Sequence, residues 1–274
     1  MKPAPFDYVR PGGITDAVAA LSTPDSKVMA GGQSLVPLLS MRLAAPSMVV
    51  DINGLPGLDA ITVTGDGVHV GALARHTAVL ESSAVARSQP LVPMALAHVA
   101  HPTIRNRGTT VGSLVHADAS AEMPVVLSLL GGSLDVEGSS GRRTIAAAEL
   151  FTGPLESSVR PDEIAVSAFF PALPAGAGVA FDEIARRHGD YALVGAAAMV
   201  EGEEIRVGYL SVSDVPAVVD LTGVAPEDRA DAALEHLDPI GDIHATAAYR
   251  RQLVRILTDR VVAAATANVK GATR

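Results

Sequence analysis

The run Pro171-Ala172-Leu173-Pro174-Ala175-Gly176-Ala177-Gly178 divides this 274-residue chain into two stretches of different pattern. Pro removes a backbone donor and Gly loosens the backbone, so neither a helix interior nor a central strand continues through such a segment. Domains average about 100–200 residues, which allows one large domain or two. We place a boundary at this linker, with one domain over 1–174 and a smaller one over 175–274.

Before the linker the pattern mixes helix and strand. Thr15 is the expected N-cap of a short helix through Leu21, and a strand over Lys27–Met29 runs into Ala30-Gly31-Gly32-Gln33-Ser34. Leu35, Leu38, Leu39 and Met41 then recur at helical spacing. Ser47–Ile52 reads as a buried strand, and Ile61–Val63 with Val68–Val70 as a hairpin. Thr77–Ala100 is helical in pattern, with Pro90 and Pro93 at the start of its second half. A polar, irregular stretch over His101–Gly108 follows. Thr109-Thr110-Val111-Gly112-Ser113 forms a second small-residue turn before Leu114–Asp118 and a helix carrying Pro124–Leu130. Leu134–Val136 with Arg143–Ile145 suggests another hairpin, and Ile164–Phe170 another strand.

Beyond the linker, Val179–Ile184, Ala192–Val200 and Ile205–Val212 read as an antiparallel sheet closed by helices over Pro226–His236 and Ala245–Asn268. Strands followed by helices predict an α+β fold.

Composition narrows the function. The chain has no Cys, which excludes disulfides, thiolate zinc sites and Cys-ligated iron–sulfur clusters, so redox chemistry here needs a borrowed cofactor. A net charge of −9 with no basic cluster argues against a nucleic-acid partner. The start, MKPAPFDYVRPGG, lacks the apolar run of a secretory signal, and no apolar stretch approaches the ~20 residues of a membrane span. The expectation is a soluble, cytoplasmic protein.

Ala30-Gly31-Gly32-Gln33-Ser34 lies where a strand gives way to a helix, so its backbone N–H groups can converge on an anion. Adjacent glycines let the chain approach a pyrophosphate without a Cβ clash. The motif is neither GxGxxG nor a P-loop. Thr109–Ser113, rich in hydroxyls and backbone donors, could hold the other side of the same diphosphate. On spacing and composition alone, ordinary tight turns are the favoured reading of both. His98 and His101 share a helical face, but no third metal ligand is evident. Ser113, His116 and Asp118 have the residue types of a hydrolase triad without evidence of its geometry. Arg105 and Arg107 are candidates for a phosphate or a partner's carboxylate, with surface pairing as the default.

The strings AGGQSLVPLLSMRLAAP (30–46), IRNRGTTVGSLVHADASAEMP (104–124), FTGPLESSVRPDEI (151–164) and FDEIARRHGDYALVGAAA (181–198) occur in that order across nearly the whole chain. Together they resemble the FAD-binding medium subunit of the carbon monoxide dehydrogenase and xanthine dehydrogenase families of molybdenum hydroxylases. The resemblance implies a two-part FAD-binding domain of the vanillyl-alcohol-oxidase (PCMH) type, with parts near 1–56 and 57–174. A smaller α+β C-terminal domain with an antiparallel sheet and helices follows. It implies FAD contacts from Ala30, Gly31, Gly32, Gln33, Ser34 and Leu35 and from Thr109, Thr110, Val111, Gly112 and Ser113, which wrap the diphosphate. It also places Asp118 near the adenosine end and Tyr191 beside the isoalloxazine ring. No protein nucleophile and no metal ligand is implied. The expected partners are an iron–sulfur small subunit and a molybdopterin large subunit, with electrons passing through the clusters and FAD to an external acceptor.

The chain departs from the family at Val111, where a second glycine is usual, and at Ala119, where a proline is usual. If position 111 needs positive φ, a β-branched residue there is strained by about 1–3 kcal/mol, which gives motive to a flavin-free scaffold reading. A stand-alone FAD oxidoreductase is the other rival. Ala119 reads as a milder change at a helix start.

Overall fold

The computed structural model describes residues 2–271. The strands β1 (Asp7–Val9), β2 (Ser26–Met29) and β3 (Met48–Asp51) form a parallel sheet in the order β1-β3-β2. Parallel pairing requires crossovers. These are supplied by α1 (Ile14–Ala20) and α2 (Leu35–Met41). Helix α1 starts one residue before the expected cap Thr15, because Gly13 already holds the extended geometry of an N-cap (φ −152°, ψ 163°). Strand β2 delivers the chain into residues 30–34, and α2 carries it away.

The next part is built on a five-stranded antiparallel sheet. Its strands are β4 (Ile61–Val63), β5 (Gly67–Gly71), β6 (Ser133–Gly138), β7 (Gly141–Ala146) and the central β10 (Glu163–Pro171), in the order β4-β5-β10-β6-β7. Between β5 and β6 lie α3 (His76–Leu80), α4 (Ser83–Ser88), α5 (Leu91–Leu96), α6 (Pro102–Arg105), α7 (Thr110–His116) and α8 (Glu122–Leu130). The helical pattern over 77–100 is therefore three short helices. Pro90 disfavours helical geometry in the residue before it, and Gln89 accordingly sits at φ −143°, ψ 85°. Pro93 falls in the first turn of α5, where its missing N–H costs nothing. The stretch after residue 100 contains α6, with Pro102 at its first position.

The second small-residue turn is also different in kind. Thr109 is an N-cap, its Oγ1 accepting from Gly112 N at 3.1 Å, and Thr110–Ser113 form the first turn of α7. Val111 is thus an ordinary helical residue, 2% exposed and absent from the positive-φ positions. The strain expected there does not arise. Ala119 lies in a turn before α8 and not at a helix start; Asp118 organises that turn without a proline by accepting from Ser120 N at 2.8 Å.

After β7 come α9 (Ala147–Leu150), β8 (Phe151–Gly153) and β9 (Glu156–Ser157), the last two paired with each other. Past residue 176, β11 (Ala177–Ala185), β12 (Ala192–Glu201), β13 (Glu204–Leu210) and β14 (Ala217–Asp220) make a four-stranded antiparallel meander. The chain ends on α10 (Arg229–Leu234) and α11 (Ala247–Gly271). Leu253, Val254, Leu257, Val261, Val262 and Ala265 recur at helical spacing, are buried, and pack one face of α11 against this sheet. The α+β class is as expected.

Helix α8 links the two cores. Met123, Val126, Leu127, Leu129 and Leu130 belong to the larger core, whereas Val125 packs with Ala192 and Leu210 of the C-terminal sheet. A helix apolar on all sides needs such double cover.

Candidate FAD site

A cavity of about 840 Å³ runs between the β2–α2 connection, α7 and the hairpin joining β11 to β12. Its volume falls in the range of small-molecule and cofactor sites, about 300–1,000 Å³. Ala30, Gly31, Gly32, Gln33, Ser34, Leu35, Thr109, Val111, Gly112, Ser113, Asp118 and Tyr191 all line it. Thr110 does not. Helical phase turns it inward, fully buried, where its Oγ1 lies 3.2 Å from His76 Nδ1 and its N–H donates to Ala74 O at 3.4 Å. Its work is to fasten the second turn to residues 74–76.

The backbone N–H groups of Gly31, Gly32, Gln33, Ser34 and Leu35, and that of Val111 across the cavity, have no hydrogen-bond partner among the described residues. Unpaired amides on a cavity wall fit an anionic ligand, since an orphan donor needs a partner and a run of them makes an anion-binding concavity. The glycines act differently from the expectation that both spare the ligand a clash. A Cβ at Gly31 would collide with the carbonyl of Arg107 and reach within 2.8 Å of Gly108 Cα, so Gly31 is small to let the two turns touch each other. Gly32 adopts φ +73°, which disfavours any side chain.

At one end of the cavity the β11–β12 hairpin closes over the connection between α5 and α6. Gly189, at φ +83°, packs there so tightly that a Cβ would lie 2.7 Å from His101 Cε1 and 3.0 Å from Ala100 O. Asp190 is held by Arg187 at 3.1 Å and Arg186 at 3.5 Å. Tyr191 follows. It leaves 64% of its surface exposed. Desolvation of its hydroxyl, then the negative charge of nearby Asp118, push the phenol up to about 12, so the hydroxyl keeps its proton. Asp118 and Tyr191 therefore meet at one end. The resemblance had set them apart, Asp118 toward the adenosine and Tyr191 beside the ring; in the fold the two are neighbours. Asp25, Lys27 and the segment 43–46 also line the cavity.

Glu122, at the start of α8, also lines the cavity and was not singled out by sequence. Burial, reinforced by the charge of Glu183, pushes its carboxyl up to about 8, so it is protonated at neutral pH. His98 Nδ1 sits 3.4 Å from Glu183 Oε1, and that hydrogen bond raises the imidazole pKa against the effect of burial. His98 and His101 thus serve different neighbours, and no group of three metal-binding side chains occurs among the described residues. Arg105 donates to Val99 O at 2.7 Å and Ala100 O at 2.9 Å, bracing a loop. No hydrogen bond joins Ser113 to His116 or His116 to Asp118, so the triad reading has no geometric support. The arrangement can grip an elongated ligand at an anionic middle and offers it neutral donors at one end.

Over residues 4–173 the sequence matches the family described as the FAD binding domain in molybdopterin dehydrogenase. The chain is 40% identical, over 284 residues, to the 6-hydroxypseudooxynicotine dehydrogenase complex subunit alpha of Paenarthrobacter nicotinovorans, covering 97% of this chain and 96% of that one. It superposes on a carbon monoxide dehydrogenase chain from Hydrogenophaga pseudoflava with a TM-score of 0.92 at 30% identity, covering 98% of this chain and 99% of that chain. A chain of quinoline 2-oxidoreductase from Pseudomonas putida 86 gives 0.90 at 35% identity, with both chains fully covered (100% each).

Proposed function

The chain belongs to the FAD-binding medium subunits of the molybdenum hydroxylases, and on that premise we propose that it is the electron-exit subunit of such a complex, holding FAD along the 840 Å³ cavity. The observation that carries this reading is the pair of turns that border one cavity and whose amides are left without partners. In this reading the diphosphate takes the N–H groups of residues 31–35 and Val111, with the hydroxyl of Ser113 close by. The part lined by Asp118, Glu122 and Tyr191 takes the ring, and the part lined by Asp25, Lys27 and residues 43–46 takes the adenosine. FAD, when bound, supplies all the redox chemistry, accepting electrons from one side and releasing them to another acceptor. The chain's own part is to hold, orient and shield. Tyr191 and Glu122 keep protons on Oη and on a carboxyl oxygen at neutral pH, and so face the ring as neutral donors. Electrons arrive from iron–sulfur clusters on a partner subunit, because this chain has no Cys to ligate one. A large molybdopterin subunit completes the complex and selects the organic substrate.

The rival flavin-free reading drew its motive from Val111, and the helical geometry of that residue removes it. Expressed with the genes beside it, the chain is expected to copurify with iron–sulfur and molybdopterin subunits and to show flavin bands in its visible spectrum. A colourless protein that takes up no added FAD would overturn the assignment; a flavoprotein fully active without partners would overturn the subunit role.

A further inference from the structure

Behind the first turn, on the side away from the cofactor cavity, a second hollow of about 670 Å³ is lined by Arg10, Asp51, Asn53, Arg75 and Arg107 together with the rear of residues 29–33. None of these five side chains lines the cofactor cavity. Across this hollow runs an unbroken series of hydrogen bonds. Asn53 Nδ2 donates to Ala30 O at 2.7 Å and to Asp51 Oδ1 at 2.6 Å. Asn53 Oδ1 accepts from Arg75 Nη2 at 2.7 Å, and Arg75 Nη1 donates to Arg107 O at 2.6 Å. Asp51 is fixed in turn by the Asn53 N–H at 2.9 Å and by the Tyr8 hydroxyl.

Ala30 O is the carbonyl at the head of the first turn, and Arg107 O belongs to the segment on which Gly31 rests. The side chains of Asn53 and Arg75 therefore tie the backbone of the first turn to the segment that leads into the second. Only one orientation of the Asn53 amide satisfies a carbonyl on one side and a guanidinium on the other, and the planar fork of Arg75 reaches two acceptors at once. We propose that Asn53 and Arg75 are positioning residues that set the gap between the two diphosphate-binding turns, and so govern affinity for the pyrophosphate of FAD without touching it. The bonds are charge-assisted at the Arg75 end and partly screened from water, the setting in which such bonds are strongest. Gly31 sets the closest approach of the two turns, and the Asn53–Arg75 strap resists their separation.

This inference rests on the assignment of the two turns to the diphosphate, and the test separates the two. In the full chain, coexpressed with its partners and stripped of flavin, FAD, ADP and riboflavin affinities are measured for Arg75→Met, Asn53→Leu and the double variant, with Gly31→Ala as reference. Each single variant is expected to weaken FAD and ADP by about tenfold, the equivalent of one charge-assisted hydrogen bond. The double variant is expected to be little worse than either, because both break one strap. Riboflavin, which lacks the diphosphate, should bind as before, and guanidinium ion should partly rescue Arg75→Met. If Arg75→Met proves insoluble, Arg75→Lys carries the same expectation, since one ammonium cannot span both acceptors as the fork does. Wild-type FAD affinity in these variants, or equal loss of riboflavin and ADP, would sink the strap. Wild-type affinity in Gly31→Ala as well would sink the placement of the diphosphate itself.

Discussion

Glu122 buries a carboxyl beside the cavity, where burial and the charge of Glu183 outweigh the opposing charge of His98. Its pKa is raised from 4.5 to about 8, chiefly by burial. Below pH about 4.5 the group is protonated folded or unfolded. Between there and about 8 the folded state holds a proton that the unfolded state has released, so stability falls as pH rises, by at most about 1.4 kcal/mol per unit, and levels off above. Glu122→Gln removes this titration. Urea midpoints should show the variant gaining on the parent protein from pH 5 to pH 8.5, and parallel curves would contradict the assignment. Sequence displayed the residues of the two turns because small side chains at a strand-to-helix junction are conspicuous. Glu122 was hidden, since an acid at a helix start is common for reasons of the helix alone. Asn53 and Arg75 were hidden more thoroughly, because they act on carbonyls 23 and 32 positions away. Thr110 was misplaced because a helical phase was read as a turn.

The elements divide by length and cover. Helix α11 shows its buried stripe in sequence, and Leu257 is fully buried in the middle of it. Leu257→Ala should cost about 2–5 kcal/mol through lost contacts and a residual cavity, read as a lower denaturant midpoint at unchanged m-value. Because α11 lies on the face of the sheet remote from the cavity, FAD affinity should stay the same; a parallel loss of binding would mean the two are coupled. The long strands β10 to β13 were legible from their apolar runs, as were the hairpins β4–β5 and β6–β7. The missed strands β1, β8, β9 and β14 are two to four residues long, and lengths like these leave little periodicity to read. The helical run over 77–100 was read as continuous because its apolar spacing carries through breaks made by backbone geometry at Gln89 and Pro90.

In the whole molecule the cofactor cavity belongs to neither part of the chain alone. Its two turns come from the first 113 residues, and its closing wall, Gly189 to Tyr191, from the hairpin of the C-terminal sheet. The larger and smaller cores meet along α8, and among the described residues no helix is long and apolar enough to cross a membrane. FAD at 100 times its dissociation constant should add about 2.7 kcal/mol to stability. With walls drawn from both parts, thermal unfolding of the C-terminal sheet, followed by hydrogen exchange in β12, should shift along with that of the first part. A shift confined to the first part would place the ligand on the turns alone. The position of that hairpin also orders events during biosynthesis. Chains emerge from the ribosome amino-terminus first, and the turns can take shape while the segment that roofs them is still untranslated. A nascent chain shorter than about 190 residues has a half-built pocket open to solvent, so full capture of the flavin must await the strands beyond residue 176.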